Sequence, residues 1–451
     1  MYLLYSFLLT LGFILLLPRF ALDAFRSGKY ITGLGERLGK VPEIPNSDRP
    51  VIWLHCVSVG ETQAARSLVR ALRESFAARI VISTTTVTGQ RVAREAFGDQ
   101  AAAVFYFPID WSWSVRRTLR AVKPSAVLIM ETELWPNLLR ECRSRSIPVA
   151  LVNGRISDRS FGRYRFARPF FRRVLRDVSA AMMQSESDAI RIRELGLPDE
   201  RVTVPGNLKF DSSEIAIEKE TTEVFRQRFG LALNDPFIIA ASTHAPEERI
   251  AVEAFQQVRL ALPNARMLIA PRHPERFAEV ASLLQRSGLT WTQRSNPSST
   301  QDQSSEVVLL DTIGELRAAY PLADVVFVGG SIVSHGGHNV LEPASLGICV
   351  VTGPHTQNFA AITKALLAEQ ALVQLPKGEE SQYAAELAAA FTELLSHPET
   401  RREIGEHALE VCLRNRGATE RTMQALSGVF AETKILNDSV PFTALHVSTA
   451  K

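Results

Sequence analysis

The chain is poor in cysteine. Its 451 residues include only Cys56, Cys142, Cys349 and Cys412, none in a C-x-x-C pair and none at zinc-ligand spacing. That excludes a disulfide framework and a structural zinc module, and leaves four buried or idle thiols of a reducing compartment. Excess charge is also lacking: the formal net charge is +3. Over this length it does not mark a nucleic-acid binder, so any basic function is local. There is no short-period repeat. Met1–Pro18 (MYLLYSFLLTLGFILLLP) contains no charged side chain. No positive residue precedes that run and no A-x-A site follows it, which argues against a cleaved signal peptide.

What is present suits a folded enzyme of two domains. Hydrophobic residues make up 46% and charged residues 22%, an ordinary globular balance, and a chain this long divides into units of about 150–200 residues. Arg19, Arg26, Lys29, Arg37 and Lys40 follow the first apolar run, against Asp23 and Glu36. Basic residues on that side place the rest of the chain on the cytoplasmic face. The run is slightly shorter than the ~20 residues that cross a bilayer. Residues 1–22 are therefore expected to be a membrane anchor, single-span or monotopic.

Strands and helices then alternate. Val51–His55, Ile80–Thr84, Ala103–Phe107, Ala126–Met130, Val149–Val152 and Ala180–Met183 are apolar runs, with a helical period in Glu61–Phe76. Continuous runs of this kind form parallel strands buried on both faces, in βαβ units. A second series follows at Phe237–Ala241, Met267–Ala270, Val307–Leu310, Val325–Val328 and Cys349–Thr352. The expected division is an anchor at 1–22, a Rossmann-like domain at 23–205, a junction at 206–236 and a second such domain at 237–433. A flexible tail would run from 434 to 451, and Ser295–Glu306 reads as a loop.

In such sheets ligands sit beyond the carboxyl ends of the strands. Ser58-Val-Gly-Glu61 follows the first strand and fits both a capping box and a general base at a helix start. Glu131-Thr-Glu-Leu-Trp-Pro-Asn137 follows a buried strand, either as a solvated loop or as carboxylates in use. Lys209, in Asn207-Leu-Lys-Phe-Asp211, is a surface lysine or an anion partner. In the second domain Ser242-Thr-His244, Pro271-Arg-His-Pro274 and Gly329-Gly-Ser331 follow apolar runs, and Ser334-His-Gly-Gly-His-Asn339 leads into a helix holding Glu342. Backbone N–H groups after glycines, with a helix start, favour a phosphate. His335 and His338 have no helix beneath both and no third ligand nearby, so no metal is expected. Gly154–Arg176 interleaves eight arginines with Phe161, Tyr164, Phe166, Phe170 and Phe171. Anionic lipid is the favoured partner of that stretch, ahead of a solvated helix face or nucleic acid.

The strings HCVSVGET, METELWPN, GNLKFD, STHAPEE, PRHPERF, DTIGEL and FVGGSIVSHGGHNVLEPA resemble the bacterial transferases of Kdo (3-deoxy-D-manno-octulosonic acid) in lipopolysaccharide synthesis. The resemblance runs from the first apolar run to about Phe359. It implies a GT-B fold: two Rossmann-like domains, with the acceptor on the first and CMP-Kdo on the second. It implies Glu61 as base, Glu131 as the carboxylate of the transition state and Lys209 as the matching lysine. CMP contacts would fall on Pro271 and Arg272, on Ile313, Gly314 and Glu315, and on Asn339, Val340, Leu341 and Glu342. The acceptor would be a lipid A precursor at the inner membrane, with inversion and with neither metal nor cofactor. The alternatives are a GT-B enzyme using a UDP-sugar and a non-catalytic, membrane-bound lipid-binding protein.

Overall fold

A run without polar alternation is satisfied only where both faces of a sheet are covered, and the apolar runs meet that condition. The computed structural model describes residues 1–27, 32–212, 219–231 and 235–432. Two units emerge: Met1–Ser212 with Arg416–Lys451, and Ser213–Asn415. The first holds β1 (Val51–His55), β2 (Arg79–Thr84), β3 (Ala103–Tyr106), β4 (Ala126–Met130), β5 (Val149–Gly154), β6 (Ala180–Met183) and β7 (Val202–Thr203). Their order is β3-β2-β1-β4-β5-β6-β7, and every pairing is parallel. Because side chains alternate along a strand, Trp53, Val81, Phe105, Val127 and Leu151 enter one core. Ile52, Leu54, Ile80, Ile82, Leu128 and Val152 enter a second.

That second core is completed from far along the chain. The helix Ala418–Glu432 supplies Met423, Leu426 and Phe430, and Phe430 meets Phe76 edge to face at 5.2 Å. Asp211 caps its start, accepting from the backbone N–H of Gly417 at 2.9 Å and of Thr419 at 2.6 Å. The expected division put this helix with the second domain, residues 237–433. It packs instead in the first unit, where its apolar face has a core to fill. The expected tail, 434–451, lies outside the described residues.

The second unit holds β8 (Phe237–Thr243), β9 (Arg266–Pro271), β10 (Trp291–Gln293), β11 (Val307–Leu309), β12 (Val325–Val328), β13 (Cys349–Thr352) and β14 (Val373–Gln374). They run in the order β10-β11-β9-β8-β12-β13-β14, again all parallel. Part of the expected junction, 206–236, is structured here. The helix Lys219–Phe229 buries Phe225 and Phe229, and Thr222 donates to the Ala318 carbonyl at 2.8 Å. Arg228 forms a buried ion pair with Asp302 at 2.8 Å. Asp302 also makes Ser295–Glu306 less of a loop than expected, since it caps the 3-10 turn Thr300–Ser304.

Among the described residues no helix is long and apolar enough to cross a membrane. The expected anchor begins as the helix Tyr2–Ser27, which is docked along the first unit. Tyr2 donates to Asp177 at 2.6 Å and Tyr5 to Asp110 at 3.1 Å. Asn137 donates to Ser6 at 3.0 Å and the Trp111 indole to Thr10 at 3.1 Å. The opposite stripe, Leu3, Leu4, Phe7, Leu8, Leu11, Ile14 and Leu15, is exposed. The arginine-rich stretch forms two helices, Asp158–Phe166 and Arg168–Leu175. Phe161, Tyr164 and Phe170 pack against the first core, and Phe166 is 93% exposed. Its rings are thus divided between partial packing and open surface.

Candidate functional site

Strand order reverses at the centre of each sheet, and the crevice at such a point is where α/β sheets bind ligands. In the first unit the reversal lies at β1 and β4. Glu61 follows β1, in the first turn of the helix Val59–Phe76. Ser58 caps that helix, and Glu61 answers it. Its Oε1 accepts from Ser58 Oγ at 2.9 Å and its Oε2 from the Val57 N–H at 2.8 Å. Ser58 forms the expected N-cap, while the Glu61 carboxylate takes the Val57 N–H and the Ser58 hydroxyl in place of the Ser58 N–H of a capping box. Burial pushes the Glu61 carboxyl up to about 8, and the nearby Glu131 and Glu133 add to the rise against those two hydrogen bonds.

Glu131 follows β4 with a left-handed backbone, φ 54°, a conformation that costs a non-glycine residue about 1–3 kcal/mol and clusters at functional sites. Glu133, two residues on, is raised by burial and then by Glu131. It lay within the motif singled out in the sequence but had no role assigned. Lys209 belongs to the same set. Burial lowers its ammonium, while Glu131 and Glu61 oppose that shift and Arg155 reinforces it. Its segment is held from two sides. Asn153, itself left-handed at φ 54°, accepts from the Leu208 N–H at 3.0 Å, and Asp211 caps the returning helix. So Glu61, Glu131 and Lys209 come together, a cation among carboxylates that disfavour one another's charge.

In the second unit the reversal lies at β8 and β12. Of the glycine segments expected to offer N–H groups to a phosphate, the stretch directly after β12, Gly330–Ile332, is already occupied by Glu247. This buried carboxylate accepts from the N–H groups of Gly330 at 2.7 Å, Ser331 at 2.9 Å, Ile332 at 2.9 Å and His244 at 3.0 Å. A Cβ on Gly329 would come within 2.7 Å of Glu247 Oε2, so glycine is required there. The helix holding Glu342 is also a single turn, Leu341–Ala344, too short for a sizeable dipole.

The remaining expected contacts lie at strand ends and turns of the second unit. Pro271 ends β9 and Arg272 is exposed beyond it. Ile313 is exposed and Gly314 has φ 94°. Glu315 pairs with Arg294 at 2.6 Å. Asn339 accepts from the Leu341 N–H at 3.1 Å, and Val340 and Leu341 are buried. Glu342 pairs with Arg317 at 2.9 Å, joining the 313–317 segment to the single turn. His244, His273 and His335 gather with His338 beside Arg272. His244 and His273 were visible just past apolar runs and His335 and His338 in the segment Ser334–Asn339, but the strands had to be ordered before they could be seen to meet. Among the described residues no cluster of His, Cys, Asp or Glu is arranged to hold a metal.

Residues 32–212 match the model of a family described as 3-deoxy-D-manno-octulosonic-acid transferase (kdotransferase). The chain is 34% identical to the 3-deoxy-D-manno-octulosonic acid transferase of Haemophilus influenzae, over 94% of this chain and 97% of that one. It is 35% identical to the enzyme of the same name from Bordetella pertussis, over 83% and 86%. Among solved structures, the UDP-GlcNAc 2-epimerase of Neisseria meningitidis bound to UDP-GlcNAc shares the fold. The TM-score is 0.56 at 14% identity, covering 84% of this chain and 100% of that one.

Proposed function

The chain belongs to the 3-deoxy-D-manno-octulosonic-acid transferase family, and from that premise we propose that it moves Kdo from CMP-Kdo to a lipid A precursor, lipid IVA, inverting the sugar's anomeric centre. The observation that carries this reading is the Glu61 carboxyl, held in place by Val57 and Ser58 and pushed up to about 8. A base is most effective when its pKa lies near the working pH. In the proposed step Glu61 takes the proton of an acceptor sugar hydroxyl, and that oxygen attacks the anomeric carbon. The bond from that carbon to the phosphate oxygen breaks, and CMP leaves with the electron pair. Glu131 faces the oxocarbenium-like centre, and Lys209 and Arg272 meet negative charge. The test is mass spectrometry of the products from CMP-Kdo and lipid IVA. Glu61→Gln should lower the rate by about 10²–10⁴-fold with CMP binding retained. A variant keeping more than about a tenth of the wild-type rate would sink the base assignment, and transfer from a UDP-sugar would sink the donor.

The acceptor is a lipid, and the exposed stripe of the helix Tyr2–Ser27 supports an in-plane, monotopic contact with the cytoplasmic face of the inner membrane. Its other side is already engaged by Asp177, Asp110 and Asn137, which favours lying on the bilayer over crossing it. The arginines at 155–176 supply attraction to anionic headgroups. Replacing Leu4, Leu8 and Leu11 by glutamine should release the chain from anionic vesicles in co-sedimentation. Full retention of that variant would place the membrane contact elsewhere.

A further inference from the structure

Four imidazoles meet at the strand reversal of the second unit. The His244 ring centre lies 5.1 Å from His273, 4.4 Å from His335 and 5.0 Å from His338. Nε2 of His244 and Nε2 of His338 are 2.7 Å apart. At that distance one nitrogen must donate an N–H and the other must accept with its lone pair, so the two rings are never protonated together at these positions. The backbone is shaped around the pair: a Cβ on Gly330 would come within 2.8 Å of the His338 ring.

The charges that face the pair are cationic or already engaged. Burial, then His335, His273, Arg272 and Arg276, holds His244 at about 4. Burial, then Arg272 and the other imidazoles, holds His338 at about 3. Both rings are neutral at pH 7. Of the carboxylates nearby, Glu247 is directed at the backbone N–H groups of His244 and Gly330–Ile332. Glu248 is paired with Arg276 at 3.1 Å. Among the described residues Arg272 has no carboxylate partner. The cluster has cationic neighbours, and the carboxylates named are engaged by backbone N–H groups and by Arg276. An anion seated there reverses the sign of its electrostatics, because an opposite charge within about 4–6 Å favours the protonated ring.

We propose that His244 and His338 are the proton-accepting part of the nucleotide's phosphate site, so that seating the anionic nucleotide draws a proton from solvent onto the pair. The proposal rests on the CMP-donor reading above and deepens it. In the neutral pair the donating ring carries its proton on Nε2 and has a bare Nδ1. The incoming proton adds to that Nδ1. The N–H···N contact becomes a charge-assisted imidazolium–imidazole bond, and the new positive charge stands opposite the phosphate. When the sugar–phosphate bond breaks, the phosphate gains a further negative charge and the imidazolium is already in place. Release of CMP returns the proton to solvent. These are binding and positioning roles, with no covalent step at either histidine.

The decisive measurement is titration calorimetry with the methyl phosphodiester of CMP, whose single charge does not titrate near neutrality. It is run at pH 6.0 in buffers of different ionisation enthalpy. The wild-type chain should take up about 0.5–1 proton per nucleotide, and affinity should fall by up to about tenfold per pH unit between the free-state value of about 4 and the bound-state pKa, levelling off above it. His244→Gln and His338→Gln should abolish the uptake and flatten the pH dependence, with thermal unfolding confirming that each variant is folded. Binding with no proton uptake, and with equal affinity at pH 5.5 and 7.5, would overturn the proposal and leave the donor reading standing. Uptake that persists in both folded variants would overturn it as well. If neither the diester nor CMP binds the wild-type chain, the donor reading fails and this proposal fails with it.

Discussion

At the scale of single residues, Glu61 sets rate and stability against each other. An unfolded glutamate ionises near 4.5, whereas in the fold its carboxyl holds its proton to about 8. Between those values the native state binds the proton that the unfolded state has lost. Stability therefore falls as pH rises through that window, by up to about 1.4 kcal/mol per unit. Glu61→Gln is expected to melt above wild type at pH 8.5, with the gap closing toward pH 4.5. Equal melting at both pH values would show that the carboxyl is not held proton-rich. The rate should move the other way, kcat/KM climbing with pH to a plateau above about 8. Glu131→Gln removes one like charge and should bring that limb to lower pH, and an unmoved limb would mean that the two carboxylates do not interact. The spacing of Ser58 and Glu61 made the helix cap legible in the sequence, and the proposed base falls in the same turn. The left-handed backbone of Glu131 and the burial of Glu133 were not legible, since both depend on how β4 meets its neighbours.

At the scale of elements, the loop after β12 shows how a glycine motif is filled from within the fold. The glycines do mark a nest of N–H groups, but the anion that fills it is Glu247, 83 residues from Gly330. Nothing local to either segment pairs them; the adjacency of β8 and β12 does. Glu247→Gln would set an amide NH₂ against backbone donors. It should destabilise the second unit by about 1–3 kcal/mol for each donor left unsatisfied, measured by urea denaturation, and weaken CMP binding. Wild-type stability in that variant would show that the loop holds its shape without the carboxylate. The central strands were readable because burial on both faces removes polar alternation. The short strands β7, β10 and β14 lie at sheet edges, where so few residues leave no periodicity to detect.

At the scale of the whole molecule, the two series of strands were plain in the sequence and the return of the helix Ala418–Glu432 was not. Its apolar face would suit either core, and only the Asp211 cap and the Phe76–Phe430 contact decide between them. A chain ended at Asn415 should lose the support of the Lys209 segment and become open to limited proteolysis around residues 205–212. A separate peptide of residues 416–432 should restore protection. Resistance without that peptide would show that the cap is dispensable. The same return governs birth on the ribosome. The first unit is threaded first but lacks its closing helix until the intervening Ser213–Asn415 has been made, a delay of roughly 10–40 s at bacterial elongation speeds of ~5–20 residues/s. Through that interval Phe76 and its neighbours stand uncovered, open to chaperones or to wrong partners, while the second unit emerges without interruption. The half translated later is thus the first able to finish folding.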